Sequence, residues 1–198
     1  MSLQHTRNVI KPLHALDAEL ERQLVADAQR DPDAFRDLYR HYFPRVFSYV
    51  AYRVGREWDA EDIVAESFTK VVTALHRFEY RGAGSFSAWI FRIARNEINQ
   101  FYRRRQVEAV SIDDVPDIRS DTPAPDQILI QKERFLRLRQ MIEALSPRRQ
   151  EVVTLRFFAG LRNTEIAAVL GLDERTVASH LSRALEDLEQ RYQGFDHD

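Results

Sequence analysis

Apolar side chains recur at three- and four-residue steps through most of the chain, and no stretch alternates apolar and polar residues with period two. This pattern predicts helices that each bury one face, and no sheet. In the first half, the periodicity and its breaks predict helices over 18–30, 32–54, 59–76 and 85–105, interrupted at Gly55 and at Gly82-Ala83-Gly84. Asp31-Pro32 suits the second of these as a start, because an aspartate can cap the first amides and proline has no amide to satisfy there. In the second half, Ser146-Pro147, Gly160 and Gly171 separate helices over 130–144, 148–158, 163–170 and 174–191. The expected fold class is all-α.

One break in composition divides the chain. Residues 107–127 hold three of the seven prolines and six acids against one arginine, which reads as a flexible acidic linker. The organisation expected is an N-terminal extension (1–22), a first helical domain (23–105), the linker (106–131), a second, smaller domain containing a helix-turn-helix (132–192), and a tail (193–198). With 29 basic against 31 acidic residues the global charge points to no partner, so any electrostatic signal must be local. The chain has no cysteine, which excludes a disulfide scaffold, a thiolate metal site and a cysteine nucleophile. It also lacks a membrane-length apolar run and the apolar core of a leader peptide, so a cytoplasmic location is expected.

Within NTEIAAVLGLDERTVASHLSRALEDL, two short helices flank Gly171. Ile166, Ala167 and Leu170 form an inner face on the first, and Val177, Leu181, Ala184 and Leu188 form one on the second. Gly171 suits the left-handed turn between them. Arg175, Thr176, Ser179, His180, Ser182 and Arg183 are left outward, small polar and basic groups suited to base edges and phosphates in a major groove. Asp173 and Glu174 stand at the start of this helix, where they can cap it or, in one case, accept from a cytosine amino group.

The segment 77–105 carries seven arginines and two glutamates in a chain of net charge −2. Phe86, Trp89, Ile90, Ile93, Ala94, Ile98 and Phe101 follow helical spacing and read mostly as core. Arg92, Arg95, Asn96, Asn99 and Arg103 fall on the other side, where arginines and amides beside a glycine turn could hold a separated nucleic-acid strand. The preceding helix buries Ile63, Val64, Phe68, Val71, Val72 and Leu75 and crowds Asp59, Glu61, Asp62 and Glu66 into its first turns. These acids fit either the helix dipole or a basic protein partner. Asp62 and Glu66 are four apart, but without histidine or a second acidic cluster they make a poor metal site.

Taken in order, the acidic DAEDIVAESF helix, FSAWIFRIARNEINQFYRRR, the acidic linker and LSPRRQEVVTLRFFAGLRNTEIAAVLGLDERTVASHLSRALEDL resemble bacterial sigma factors of the sigma-70 family, extracytoplasmic-function group. The similarity covers about 24–105 and 134–190. It implies that the first domain is sigma region 2 and the second region 4, and that the protein is a transcription initiation factor rather than an enzyme, without cofactor or metal. By the same resemblance Asp59, Glu61, Asp62 and Glu66 engage the β′ clamp helices of core RNA polymerase. Tyr80, Ser85, Phe86, Arg92, Arg95, Asn96, Asn99 and Arg103 serve the −10 element, with the 77–85 loop capturing an unstacked nontemplate base. Arg175, Thr176, Ser179, His180 and Arg183 read the −35 element, and apolar residues of 148–170 serve both the core and the β flap tip. Ala65 stands where the family often has glutamine, and Ala178 where it is frequently basic. An anti-sigma factor is a further partner the resemblance implies. The 26 linker residues span at most ~86 Å at ~3.3 Å each, enough for promoter elements ~70 Å apart at two turns of ~34–36 Å. The linker's acids fit either a plain tether or a segment that lies in the polymerase's basic RNA path.

A LuxR-type regulator, binding duplex DNA as a dimer, is the alternative, since TVASHL is similar to its recognition helix. The first half lacks the strand-helix alternation of a receiver domain. No phosphate loop, nucleophile elbow or dense metal set supports an enzyme.

Overall fold

A computed structural model describes residues 16–109 and 126–195, with the side chains of 16–106 and 134–193. Most of the expected extension, the middle of the linker and the end of the tail lie outside the described residues. Every regular element within them is helical: α1 (Ala18–Arg30), α2 (Phe35–Val54), α3 (Glu57–Ala74), α4 (Ser85–Ala109), α5 (Asp126–Glu143), α6 (Pro147–Phe157), α7 (Asn163–Leu170) and α8 (Glu174–Phe195). Short 3-10 turns precede α2 (Pro32–Ala34) and follow α3 (Leu75–Arg77).

Local chemistry sets the ends. Asp17 caps α1 by accepting the Glu19 amide at 2.9 Å, and Asp31 accepts the Asp33 amide at 2.9 Å. Asp31 and Pro32 thus begin a 3-10 turn, and the regular helix starts at Phe35 rather than at 32. The expected domain boundaries fall inside helices. The helix starting at Ala18 runs through the break placed at 22, and it buries Glu21, Val25 and Ala28. The linker drawn at 106–131 is helical at both ends, because Gln106-Val-Glu-Ala109 contains no helix breaker and Asp126 follows the last proline of the segment.

The core of the first body is built from Leu38, Tyr42, Val46, Tyr49 and Val50 of α2, Ile63, Val64, Phe68 and Val71 of α3, and Phe86, Ile90, Phe91, Ala94 and Ile98 of α4. Burial of each large apolar side chain contributes about 1.5–3 kcal/mol. The same cluster continues into the second body through Val152, Leu155, Leu161, Ile166, Val169 and Val177. The bodies that composition separates therefore share a core, with α7 packed on α4 and α6 on α2. A smaller cluster joins Tyr52 of α2 to Ile142, Leu145, Val153 and Ala184, and Tyr52 stacks on Phe158 at 4.0 Å between ring centroids.

Candidate nucleic-acid and partner interfaces

Gly171 ends α7 with φ +66°, and the Leu172 amide returns to the Ala167 carbonyl at 3.0 Å. Val177 and Ala184 of α8 pack inward. Asp173 caps α8: its carboxylate accepts the Thr176 amide at 2.8 Å and the Thr176 hydroxyl at 2.6 Å. These bonds hold its pKa below the usual carboxylate value. Of the two acids at this start, Asp173 is thus a cap. Arg175, Ser179 and Arg183 are exposed on one face of α8, with His180 half-buried beside them. Thr176 is half-buried and already donates within the turn, so its contribution is to shape the helix start.

On α4, Arg92, Asn96 and Arg103 are exposed along one stripe, with Arg95 and Asn99 half-buried beside it. At its N-terminal end the stripe meets a cleft of about 550 Å³ lined by Arg77, Phe78, Arg81, Ser85, Trp89 and Arg92, closed on one side by Ala168 of α7. The 78–84 loop is positioned from α1. Gln29 donates to the carbonyls of Leu75 (2.9 Å) and Phe78 (2.7 Å). Buried Glu21 accepts from the Gly84 amide (3.0 Å) and the Tyr42 hydroxyl (2.5 Å). The Tyr80 hydroxyl donates to the Ala18 carbonyl at 2.8 Å, and burial, then the Glu21 charge, pushes its pKa up to about 12. Ser85 accepts from the Arg81 amide at 3.1 Å and so braces the loop.

Phe86 requires a correction. It is fully buried, edge-on to Tyr42 and Phe78 and against Trp89, so it supports the loop from within and cannot touch a strand. Half-exposed Trp89, tilted on Phe78 at 4.8 Å, is the ring that faces the cleft. Sequence periodicity placed both rings in the core and could not separate them. The support given by Gln29 and Glu21 was missed as well.

On α3, Asp59, Asp62 and Glu66 line one cleft of about 510 Å³ against α4, and Glu61 is exposed beside it. Asp59 pairs with Arg105 at 3.4 Å, and Glu66 with Lys70 at 3.4 Å. Lys70 also reaches buried Glu97 at 2.7 Å. Part of the acidic character is therefore balanced within the fold, which leaves Glu61 and Asp62 as the more open charges. Trp58, on the same turn, is 82% exposed and had no role in the sequence reading. Of the apolar residues of 148–170 expected to meet a flap, Val152, Leu155, Leu161 and Ile166 are fully buried in the shared core, while Phe157, Phe158 and Leu170 are only half-buried.

Among the described residues every regular element is helical, and a helix-turn-helix together with a second, basic helix beside an aromatic cleft is the layout expected of a nucleic-acid-binding protein. Comparison with known proteins is more specific. Residues 38–108 match the family model for sigma-70 region 2, and residues 135–188 match that for sigma-70 region 4. The ECF RNA polymerase sigma factor BldN of Streptomyces coelicolor is 31% identical over 180 residues, covering 90% of this chain and 68% of that protein. Among solved structures, CnrH in complex with the cytosolic domain of CnrY superposes with a TM-score of 0.66 at 24% identity, covering 87% of this chain and 97% of CnrH. The sigma factor RpoE of Bartonella quintana, in complex with the anti-sigma factor NepR, gives 0.61 at 22% identity, covering 80% and 96%. The chain belongs to the sigma-70 family, in its extracytoplasmic-function group, and is an alternative sigma factor that acts in promoter recognition. Its two sigma-70 regions imply binding to core RNA polymerase and to promoter DNA. The LuxR-type reading is not supported, since the first half is region 2 and not a receiver.

Proposed function

We propose that the three surfaces divide the work of initiation. The acids of α3, Asp59, Glu61, Asp62 and Glu66, engage the β′ clamp helices. The polar stripe of α4, with exposed Arg92, Asn96 and Arg103 and half-buried Arg95 and Asn99, tracks the melted nontemplate strand of the −10 element. The cleft beside Trp89, framed by the loop that Tyr80 and Ser85 hold in place, receives an unstacked base. Arg175, Ser179, His180 and Arg183 of α8, set by Thr176, read the −35 duplex. The observation that carries this reading is the continuity of the α4 stripe with a cleft that holds both a half-exposed indole and several arginines. Stacking of a base on such a ring contributes about 1–3 kcal/mol.

Opening then needs no bond chemistry from this protein. A surface that binds the separated strand more tightly than the duplex shifts the melting equilibrium by that difference in affinity. The protein is on this reading an initiation factor and not an enzyme, working where the polymerase works, in the cytoplasm. An anti-sigma factor is a further partner; the RpoE structure with NepR supports this by analogy of fold.

The test is a titration of labelled full-length protein with core RNA polymerase, followed by anisotropy, with Asp62→Arg and Glu66→Arg alongside. Tight binding weakened about tenfold or more by Asp62→Arg is expected, and a smaller loss for Glu66→Arg, whose charge Lys70 already balances. Unchanged affinity in both variants would remove α3 from the polymerase interface.

A further inference from the structure

Trp58 is the most exposed of the large apolar side chains described, at 82%, although α3 buries Ile63, Val64, Phe68 and Val71 just beyond it. The chain's other tryptophan, Trp89, rests on Phe78 and Phe86. Trp58 has no such ring neighbour among the described residues. A single apolar residue on a surface is ordinary; the surroundings of this one are not. On a helix, the residues three, four and seven positions further on share a face. From Trp58 these are Glu61, Asp62 and Ala65, and all three are exposed. Positions so spaced are the four corners of a hole that receives one side chain, a knob, from a helix packed alongside. The face continues through exposed Thr69 to Val72, so a partner helix has a path of about 21 Å along α3 at ~1.5 Å per residue.

The chemistry of the corners selects the knob. Asp59 and Glu66 are already drawn to Arg105 and Lys70 on the flank that faces α4. Among the described residues no cation pairs with Glu61 or Asp62. The hole thus offers an indole face, a methyl floor at Ala65 and two unpaired carboxylates. A leucine seated there would take those carboxylates out of water with nothing to meet them, at a cost in free energy. A side chain with an apolar stem and a cationic head satisfies all four corners. Arginine does so better than lysine, because a planar guanidinium can stack on the indole face while its edge donates to a carboxylate.

We propose that Trp58, Glu61, Asp62 and Ala65 form one socket for an arginine of the β′ clamp helices, with the Trp58 ring as the anchor of the core polymerase interface. This rests on the assignment of α3 to core polymerase and adds to it the group that holds the partner and the side chain that is held. Tryptophan and arginine are the residues in which interface energy concentrates.

The test is the anisotropy titration of full-length protein with core RNA polymerase, extended to this socket. Affinity should fall about tenfold or more in Trp58→Ala and about threefold in Trp58→Phe, whose ring keeps part of the stacking. The melting temperature should not change, since the ring is 82% exposed. Trp58→Ala combined with Asp62→Asn should lose clearly less than the product of the two single losses, because both changes release the same arginine. Undiminished affinity in Trp58→Ala, with Asp62→Arg still weakening binding, overturns the socket and leaves α3 as the core-binding surface. Losses that simply multiply also overturn it, since ring and carboxylate would then hold different groups. Unchanged affinity in both Trp58→Ala and Asp62→Arg removes α3 from the interface altogether. Should Trp58→Ala unfold, a photoreactive benzoylphenylalanine in place of Trp58 decides: it should cross-link to the β′ clamp helices, and the lack of any β′ product overturns the proposal.

Discussion

Glu21 lies buried in α1 with the Tyr42 hydroxyl and the Gly84 amide as donors, so one carboxylate ties the first helix to the second and to the turn before α4. In Glu21→Ala the Gly84 amide loses this acceptor, while Tyr42 keeps Ser87 at 3.2 Å. A loss of about 1–3 kcal/mol is expected in urea unfolding, the cost of a buried polar group left unmet. His41 offers a pH-dependent counterpart. Its Nε2 is buried without a partner, and burial, then the Arg45 charge, pulls its pKa down to about 4 from 6.5. Between these values the unfolded chain binds the proton and the folded one does not, so His41 lowers stability as pH falls from 6.5 towards 4. Replacement by leucine removes the effect. Melting temperatures of wild type and His41→Leu should thus diverge in the variant's favour across that window, and parallel pH curves would show that the ring stays solvated.

At the scale of elements, the α7–α8 pair separates conformational from contact roles. An added Cβ at Gly171 meets nothing within 4 Å, so Gly171→Ala costs only the left-handed backbone, about 1–2 kcal/mol. At Gly84 the same change meets Glu165 as well, so it should cost more and loosen the two bodies. Arg183→Ala, on the exposed face of α8, should leave the melting temperature unchanged and weaken −35-dependent initiation, with the salt slope of promoter binding reduced by about one. A lower melting temperature with intact transcription would place Arg183 in the fold instead. This helix-turn-helix was legible because a local stripe and one glycine define it. The sequence also announced the acids of α3 and the basic stripe of α4, through local spacing. What stayed hidden is non-local and polar. Gln29 supports a loop 46 residues away, and Arg45 finds its acceptors 114 and 115 residues on. In periodicity Arg45 is one more charge on an amphipathic helix, and its burial follows only from the docking of region 4, which the acidic break at 107–127 gave no reason to expect.

For the whole molecule, the shared core and the linker pull against each other. The core joins the bodies through α4 and α7, whereas promoter recognition as proposed needs them ~70 Å apart, two turns of ~34–36 Å. Only the linker's contour sets that upper limit. The 16 residues between the helices allow ~53 Å at ~3.3 Å each and the ten helical ones about 15 Å more at ~1.5 Å each, whereas removing ten from 110–125 leaves at most ~35 Å. The shortened chain should keep its affinity for core polymerase through α3, because that surface lies wholly within region 2. It should lose −35-dependent initiation while still opening a template with a pre-melted −10 segment, since α4 and its cleft remain intact. Restoring ten glycine and serine residues at the same place should recover the −35 dependence if the segment is a tether. If length alone does not recover it, the six acids are needed in their own right, and the linker acts through its charge.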